Sequence, residues 1–212
     1  LYCDFGSDVN KKINSEVIKY FNTIREQNIN GINNLTPSYN KLIISYDLKV
    51  TNYKEIKDKI EKLNVAEALK TNNKKIEIPV CCDPSFSLDM ERLENKLNLT
   101  KEKILENFFN KEFFCYMTGF IAGMPFLGDL DENMRVQRLE TPRVKVPKGS
   151  VGITEQFADI YTFESPGGWN IIGNTPLEVF DSSKEIDPNL INPGDTVQFK
   201  QISLEEYKNY NE

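Results

Sequence analysis

Five arginines stand among the cations of this 212-residue chain, and three of them, Arg135, Arg138 and Arg143, fall within nine residues. A guanidinium offers a planar fork of donors matched to carboxylate or phosphoryl oxygens. Around the cluster lie the stretches GFIAGMPFLGDL, RVQRLETPRVKVPKGSVGI and FESPGGW. Nine of eleven glycines and seven of ten prolines lie between Gly119 and Gly194, so the arginines sit in a region of fixed, unusual backbone. The combination reads as a shaped anion-binding surface. Arg138 and Arg143 are candidates to grip an anion, with an internal salt bridge as the competing role, and Arg135 reads as solvated. Lys148, Gly149 and Ser150 present a lysine and backbone N–H groups to an anion, or form a plain turn. Ser165, Gly167, Gly168 and Trp169 suit a pocket rim with one aromatic wall, or a structural turn. Gly119, Phe120, Gly123 and Pro125 shape one loop, and Gly173 and Thr175 another. Glu164 and Asp159 are the nearest acids able to act as bases. No residue is assigned a catalytic role.

What is absent narrows the chemistry. The chain has no histidine, which removes every Ser-His and Cys-His pair and the usual general base near neutral pH. Cys3, Cys81, Cys82 and Cys115 form no CxxC pair, so no metal site is expected and the thiols read as reduced packing residues of a cytoplasmic protein. A net charge of −6 argues against a general nucleic-acid binder. No apolar run approaches the ~18 residues of a membrane span, and LYCDFGSD has neither the basic region nor the apolar stretch expected of a secretory signal. There is no phosphate loop, so ATP chemistry is not expected of this chain alone.

The elements that must hold these residues follow from periodicity. LYCDFG reads as a strand. The helix after it carries Val9, Ile13, Val17, Phe21 and Ile24 on one face, with Ser7 or Asp8 as N-cap. GINNLTPSY is a weak strand that Pro37 confines to an edge or an end, and KLIISYDL a stronger one. A second helix is expected from Tyr53 to Leu69, then a strand KKIEIPV. The order β-α-β-β-α-β is the split arrangement of a ferredoxin-like domain, placed at residues 1–80. Residues 81–212 then read as a helical connector (LDMERLENKL and TKEKILENFFN, Thr100 capping the second) followed by a barrel of short strands. The barrel strands are FFCYMTGF, VGI, IYTFES, WNIIGN, PLEVFD and DTVQFKQI. Turns are expected at Val146–Gly149, with Pro147 at i+1 and Gly149 at i+3, at SPGGW, where Gly167 or Gly168 can take positive φ, and at Asn192–Asp195.

The motifs GFIAGMPFLGDL, RLETPRVKVPKGSVGI, IYTFESPGGWNIIGNTPLEVFD and PGDTVQF, with the opening CDFGSDVNKKIN, resemble the 5-oxoprolinase B-subunit family, also named KipI or allophanate hydrolase subunit 1. The likeness runs over nearly the whole chain. It implies an α+β protein, a ferredoxin-like N-terminal domain followed by a cyclophilin-like β-barrel. It also implies partnership with the C and A subunits of 5-oxoprolinase in ATP-driven opening of 5-oxoproline to glutamate, with ATP and Mg²⁺ engaged by the complex. The inhibitor branch of the family implies another partner, a sensor histidine kinase, and the older name implies an allophanate hydrolase module. The chain departs from the family pattern at Phe108 (where a His is frequent), at Ala122 and Met124, at Phe157-Ala158-Asp159 in place of Gln-Thr-Gly, and at Asn174 in place of Arg. The Gly/Pro frame is kept while polar positions change, which bears on substrate identity and catalytic competence.

Overall fold

The computed structural model describes residues 1–65 and 73–210. Contacts divide the chain into two compact units, Leu1–Asn72 and Asn73–Glu212.

The first unit is an antiparallel sheet of three strands in the order β1 (Tyr2–Asp4), β3 (Lys41–Tyr46), β2 (Ile32–Pro37), with helices α1 (Lys11–Gln27) and α2 (Tyr53–Glu61). The helical stripe of α1 buries Val17 and Ile24 against Leu42 and Ile44 of β3 and Ile56 and Ile60 of α2. The N-cap of α1 is Asn10, not Ser7 or Asp8: its Oδ1 accepts from the Ile13 N–H at 2.9 Å, satisfying a donor the first turn leaves free. Pro37 closes β2 at the sheet edge, where its missing N–H breaks no ladder bond. The second helix stops at Glu61, and the end of its expected span, residues 66–69, lies outside the described residues.

The expected fourth strand of this sheet belongs elsewhere. β4 (Lys75–Cys81) runs parallel to β12 (Thr196–Ile202) and meets β11 (Asn170–Asn174) at Asn174↔Cys81, so it is a barrel strand and the division between units falls before it, not after residue 80. Its final four residues are all buried, the continuous apolar run of a strand covered on both faces rather than the alternation of a one-sided sheet. The barrel closes in the order β11-β4-β12-β5-β6-β9-β8, with β5 (Glu112–Thr118), β6 (Pro125–Gly128), β8 (Ser150–Thr154) and β9 (Phe157–Ile160). Helices α3 (Met90–Leu97) and α4 (Lys101–Phe109) share its core, with Leu93, Ile104 and Phe108 buried beside Phe113 and Phe199. Thr100 caps α4 as expected. A short helix α5 (Leu204–Lys208) follows β12.

Several barrel expectations are corrected. PFLG, absent from the expected strands apart from Pro125 as a loop-shaping residue, is β6. The strand at IYTFES is displaced to β9, which ends at Ile160. PLEVFD forms no strand; it contributes one isolated bridge, Phe180↔Asn189. Ser165–Gly167 is a strand, β10, antiparallel to β7 (Arg143–Val146), and neither Gly167 nor Gly168 has positive φ. The Pro147 turn is shifted by one residue. Ser150 N–H donates to the Pro147 carbonyl and Gly149 takes φ +82, the i+2 geometry of a type II turn. The Asn192–Asp195 turn stands as expected, with Asp195 N–H donating to the Asn192 carbonyl and Gly194 at φ +98.

Candidate anion site on the barrel

The segment Gly167–Ile171 is a strap that four distant parts of the second unit tie down. Gly168 accepts from the Leu139 N–H at 2.7 Å. Asn170 accepts from Arg92 Nε at 2.9 Å and donates to the carbonyls of Gln137 and Ile153. Ile171 donates to Asp89 Oδ2 at 2.7 Å and accepts from the Asp89 N–H at 3.0 Å. Trp169 is buried, with its ring edge-on to Phe126 at 5.6 Å between centroids. Gly167 answers to space rather than to turn geometry, while Gly168 leaves only ordinary contacts around it. A Cβ on Gly167 would lie 2.1 Å from the Tyr161 hydroxyl, and one on Gly168 would touch Arg138 Nε at 3.5 Å.

The structure therefore gathers Arg138, Arg143, Ser165, Gly167, Gly168 and Trp169 around one strap. Arg143 Nη2 pairs with Asp89 Oδ1 at 2.5 Å, with Asp89 buried and Arg143 28% exposed. Arg143 Nη1 is buried and has no hydrogen-bond partner. Arg138 is exposed and carries no ion pair among the described residues. Arg135 is exposed and donates to the Leu130 carbonyl. Sequence reasoning misses Arg92, Asp89 and Tyr161. Arg92 and Asp89 come from the connector, far along the chain from the strap, and only Tyr161 sits inside a motif that could flag it.

Tyr161 is the hub. Burial, and after it the charge of Asp159, raises its pKa, while the Trp169 N–H and the two cations Arg138 and Arg143 act in the opposite sense. Asp159 is fully buried at the Gly152↔Asp159 pair of β8 and β9. Its Oδ1 accepts from the Gly152 N–H at 3.0 Å, and a Cβ on Gly152 would fall 2.6 Å from that oxygen. Burial drives its carboxyl well above the usual carboxylate range, with the Gly152 N–H opposing. The other candidate base, Glu164, is exposed and pairs with Lys145 at 2.9 Å.

Lys148, Gly149 and Thr175 lie in a different place. With Glu178, Tyr207 and Lys208 they line an open groove of about 540 Å³. Lys148 pairs with Glu178 at 2.7 Å in an exposed ion pair, Gly149 N–H donates to the Tyr161 carbonyl, and Ser150 is buried in the ladder. Gly173 packs its Cα against Val80 and the Cys81 carbonyl. The loop before β6 holds Gly119, whose N–H donates to the Met124 carbonyl, an exposed Phe120 at φ +68, and Gly123 at φ +72 beneath Phe180, with Pro125 opening the strand. No group of three or more metal-ligating side chains occurs among the described residues, and no helix among them is long and apolar enough to cross a membrane.

Comparison with known proteins matches residues 1–191 to the family described as carboxyltransferase domain, subdomain C and D. The B subunit of 5-oxoprolinase from Bacillus subtilis (strain 168) is 34% identical over 221 aligned positions, covering 98% of this chain and 91% of that protein. Among solved structures, TTHA0988 superposes with a TM-score of 0.85 at 27% identity over 95% of this chain, which spans 39% of that longer chain. The Kluyveromyces lactis urea carboxylase shares the fold, with a TM-score of 0.78 at 18% identity over 98% of this chain and 21% of its own. The chain belongs to the carboxyltransferase domain, subdomain C and D family and, within it, to the group of 5-oxoprolinase B subunits.

Proposed function

From that membership we propose that the chain is the B subunit of an ATP-dependent 5-oxoprolinase, a non-autonomous part of an enzyme that opens 5-oxoproline to glutamate. The observation that carries the reading is the alignment with the Bacillus subtilis protein along nearly the full length of both chains. The strap geometry supports it. Arg138 and Arg143, held beside Gly167, Gly168 and Trp169, supply cationic donors to a carboxylate or a phosphoryl oxygen. Opening a lactam requires activating a poor leaving group. The described residues offer neither a metal-ligating cluster nor a phosphate loop for Mg²⁺–ATP. We therefore assign ATP and Mg²⁺ to the assembled complex and not to this chain alone. This chain's contribution is to bind and orient an anionic group, with Arg143 held by Asp89 before the ligand arrives.

The test is reconstitution of the purified subunits with 5-oxoproline-dependent ADP release as readout. Activity is expected to need this chain, and undiminished turnover in its absence would refute the reading. A role as inhibitor of a sensor histidine kinase is set aside, because no observation on this chain favours it over the enzyme role.

A further inference from the structure

Five buried side-chain atoms described in the second unit have no hydrogen-bond partner; Asn107 Nδ2 and Asn189 Oδ1 stand elsewhere in the chain, and three, Arg143 Nη1, Ser165 Oγ and Asp159 Oδ2, belong to the strands around Tyr161. Buried polar groups are nearly always paired, so three orphans in one region point to something that completes them. Their positions converge on the Tyr161 hydroxyl. Gly167 faces that hydroxyl closely enough that a Cβ would sit 2.1 Å from it. Ser165 stands two residues earlier on the same strand, so its side chain leaves the same face. Arg143 is the cross-strand partner of Gly167. Asp159 precedes Tyr161 by two residues, and its charge and those of Arg138 and Arg143 all act on the Tyr161 hydroxyl.

We propose that Arg143 Nη1, Ser165 Oγ and the Tyr161 hydroxyl form the seat of a small-molecule carboxylate beneath β10. Each of the three is a donor, and a carboxylate has about four lone-pair directions to receive them. Asp89 does not compete as an acceptor, since its oxygens are taken by Arg143 Nη2 and the Ile171 N–H. Asp159, the other acid nearby, is fully buried, and burial pushes its pKa well above the usual carboxylate range, which weakens its competition with an incoming anion. The identity of the ligand as 5-oxoproline rests on the function proposed above; the carboxylate seat does not.

Two measurements test it. In the reconstituted complex, Ser165→Ala and Tyr161→Phe are each expected to raise KM for 5-oxoproline roughly 10-fold with kcat little changed, the loss of one hydrogen bond to a charged acceptor. On the purified chain, 5-oxoproline and acetate are titrated while the emission of Trp169, the chain's single tryptophan, is followed, with neutral 2-pyrrolidinone as control. Both carboxylates are expected to shift the emission of the wild type, to do so at least about 10-fold more weakly in the two variants, and 2-pyrrolidinone to have no effect. A complex that turns over 5-oxoproline with unchanged KM in both variants overturns the seat and leaves the proposed function standing. A carboxylate-selective shift abolished by the variants, in a complex without 5-oxoprolinase activity, sustains the seat and removes the proposed function. Equal responses to acetate and 2-pyrrolidinone would overturn the seat, since the response would then not depend on a carboxylate.

Discussion

Removing the Arg143 guanidinium should cost folding energy as well as ligand affinity, and the structure says how much. Asp89 is 5% exposed, and in Arg143→Ala its carboxylate would keep one side-chain hydrogen bond, from the Ile171 N–H. Breaking one partner out of a buried pair typically costs about 3–5 kcal/mol, because the remaining charge is left in a poor solvent. Arg143 is itself 28% exposed, so water can reach part of the vacated space and the lower figure, ~3 kcal/mol, is expected. With a urea m-value of about 2–3 kcal/mol/M, the midpoint should fall by about 1–1.5 M. Trp169 reports it directly, being buried in the strap whose Ile171 N–H Asp89 holds. Asp89→Asn keeps an acceptor for the Ile171 N–H but carries no charge, so Arg143→Ala in that background should cost under about 1 kcal/mol, a coupling of about 2 kcal/mol. Arg138→Ala, with no ion pair to strand, should stay within about 0.5 kcal/mol of wild type. If Arg143→Ala also fell within that margin, or the cycle showed no coupling, the ion pair would not be what holds the strap.

Asp159→Asn tests the buried acid through pH. The folded pKa lies well above the unfolded value of about 3.9, so between the two the folded state binds the extra proton and stability is lost as pH rises through that window. The variant should therefore gain on the wild type as pH climbs from about 4 toward neutrality in parallel urea titrations, and a pH-independent difference would show that the carboxyl ionises freely. Thiol labelling of the native chain should modify Cys3 first, since Cys81, Cys82 and Cys115 are buried and burial raises Cys82 to about 12 and Cys115 further; rapid labelling of all four would refute the packing. Phe108→Ala, removing a fully buried ring in contact with Phe113 and Phe199, should destabilise the second unit by about 3–5 kcal/mol in calorimetry, and a loss under about 1 kcal/mol would mean the helices do not share the barrel core.

Local chemistry is legible in the sequence where local forces decide it. The stripe of α1, the Thr100 cap, the edge position of Pro37 and the Asn192–Asp195 turn all follow from residues close to one another along the chain. The misreadings share a different cause. KKIEIPV alternates like a one-sided strand, yet its parallel neighbour begins only at Thr196, near the far end of the chain, which no local period reveals. SPGGW reads as a turn because glycine readily takes positive φ, whereas here neither glycine does and Gly167 makes room for Tyr161. Within the site, the residues carried by motifs are legible and those contributed from the connector, Asp89 and Arg92, are not. Side-chain type alone does not tell which distant carboxylate will meet an arginine.

The parallel pairing of β4 with β12 has a consequence for synthesis and folding. The strand that opens the barrel in chain order can be completed only by one that ends at Ile202, so ring closure waits until nearly the entire second unit has left the ribosome. The Leu1–Asn72 unit has all its described strand pairs local and can collapse early. Until β12 arrives, β4 and β5 each present an unpaired edge with an apolar face, the kind of surface on which nascent chains aggregate. Slow elongation ahead of residue 196, or a truncation within β12, should therefore be felt as insolubility before it is felt as lost function.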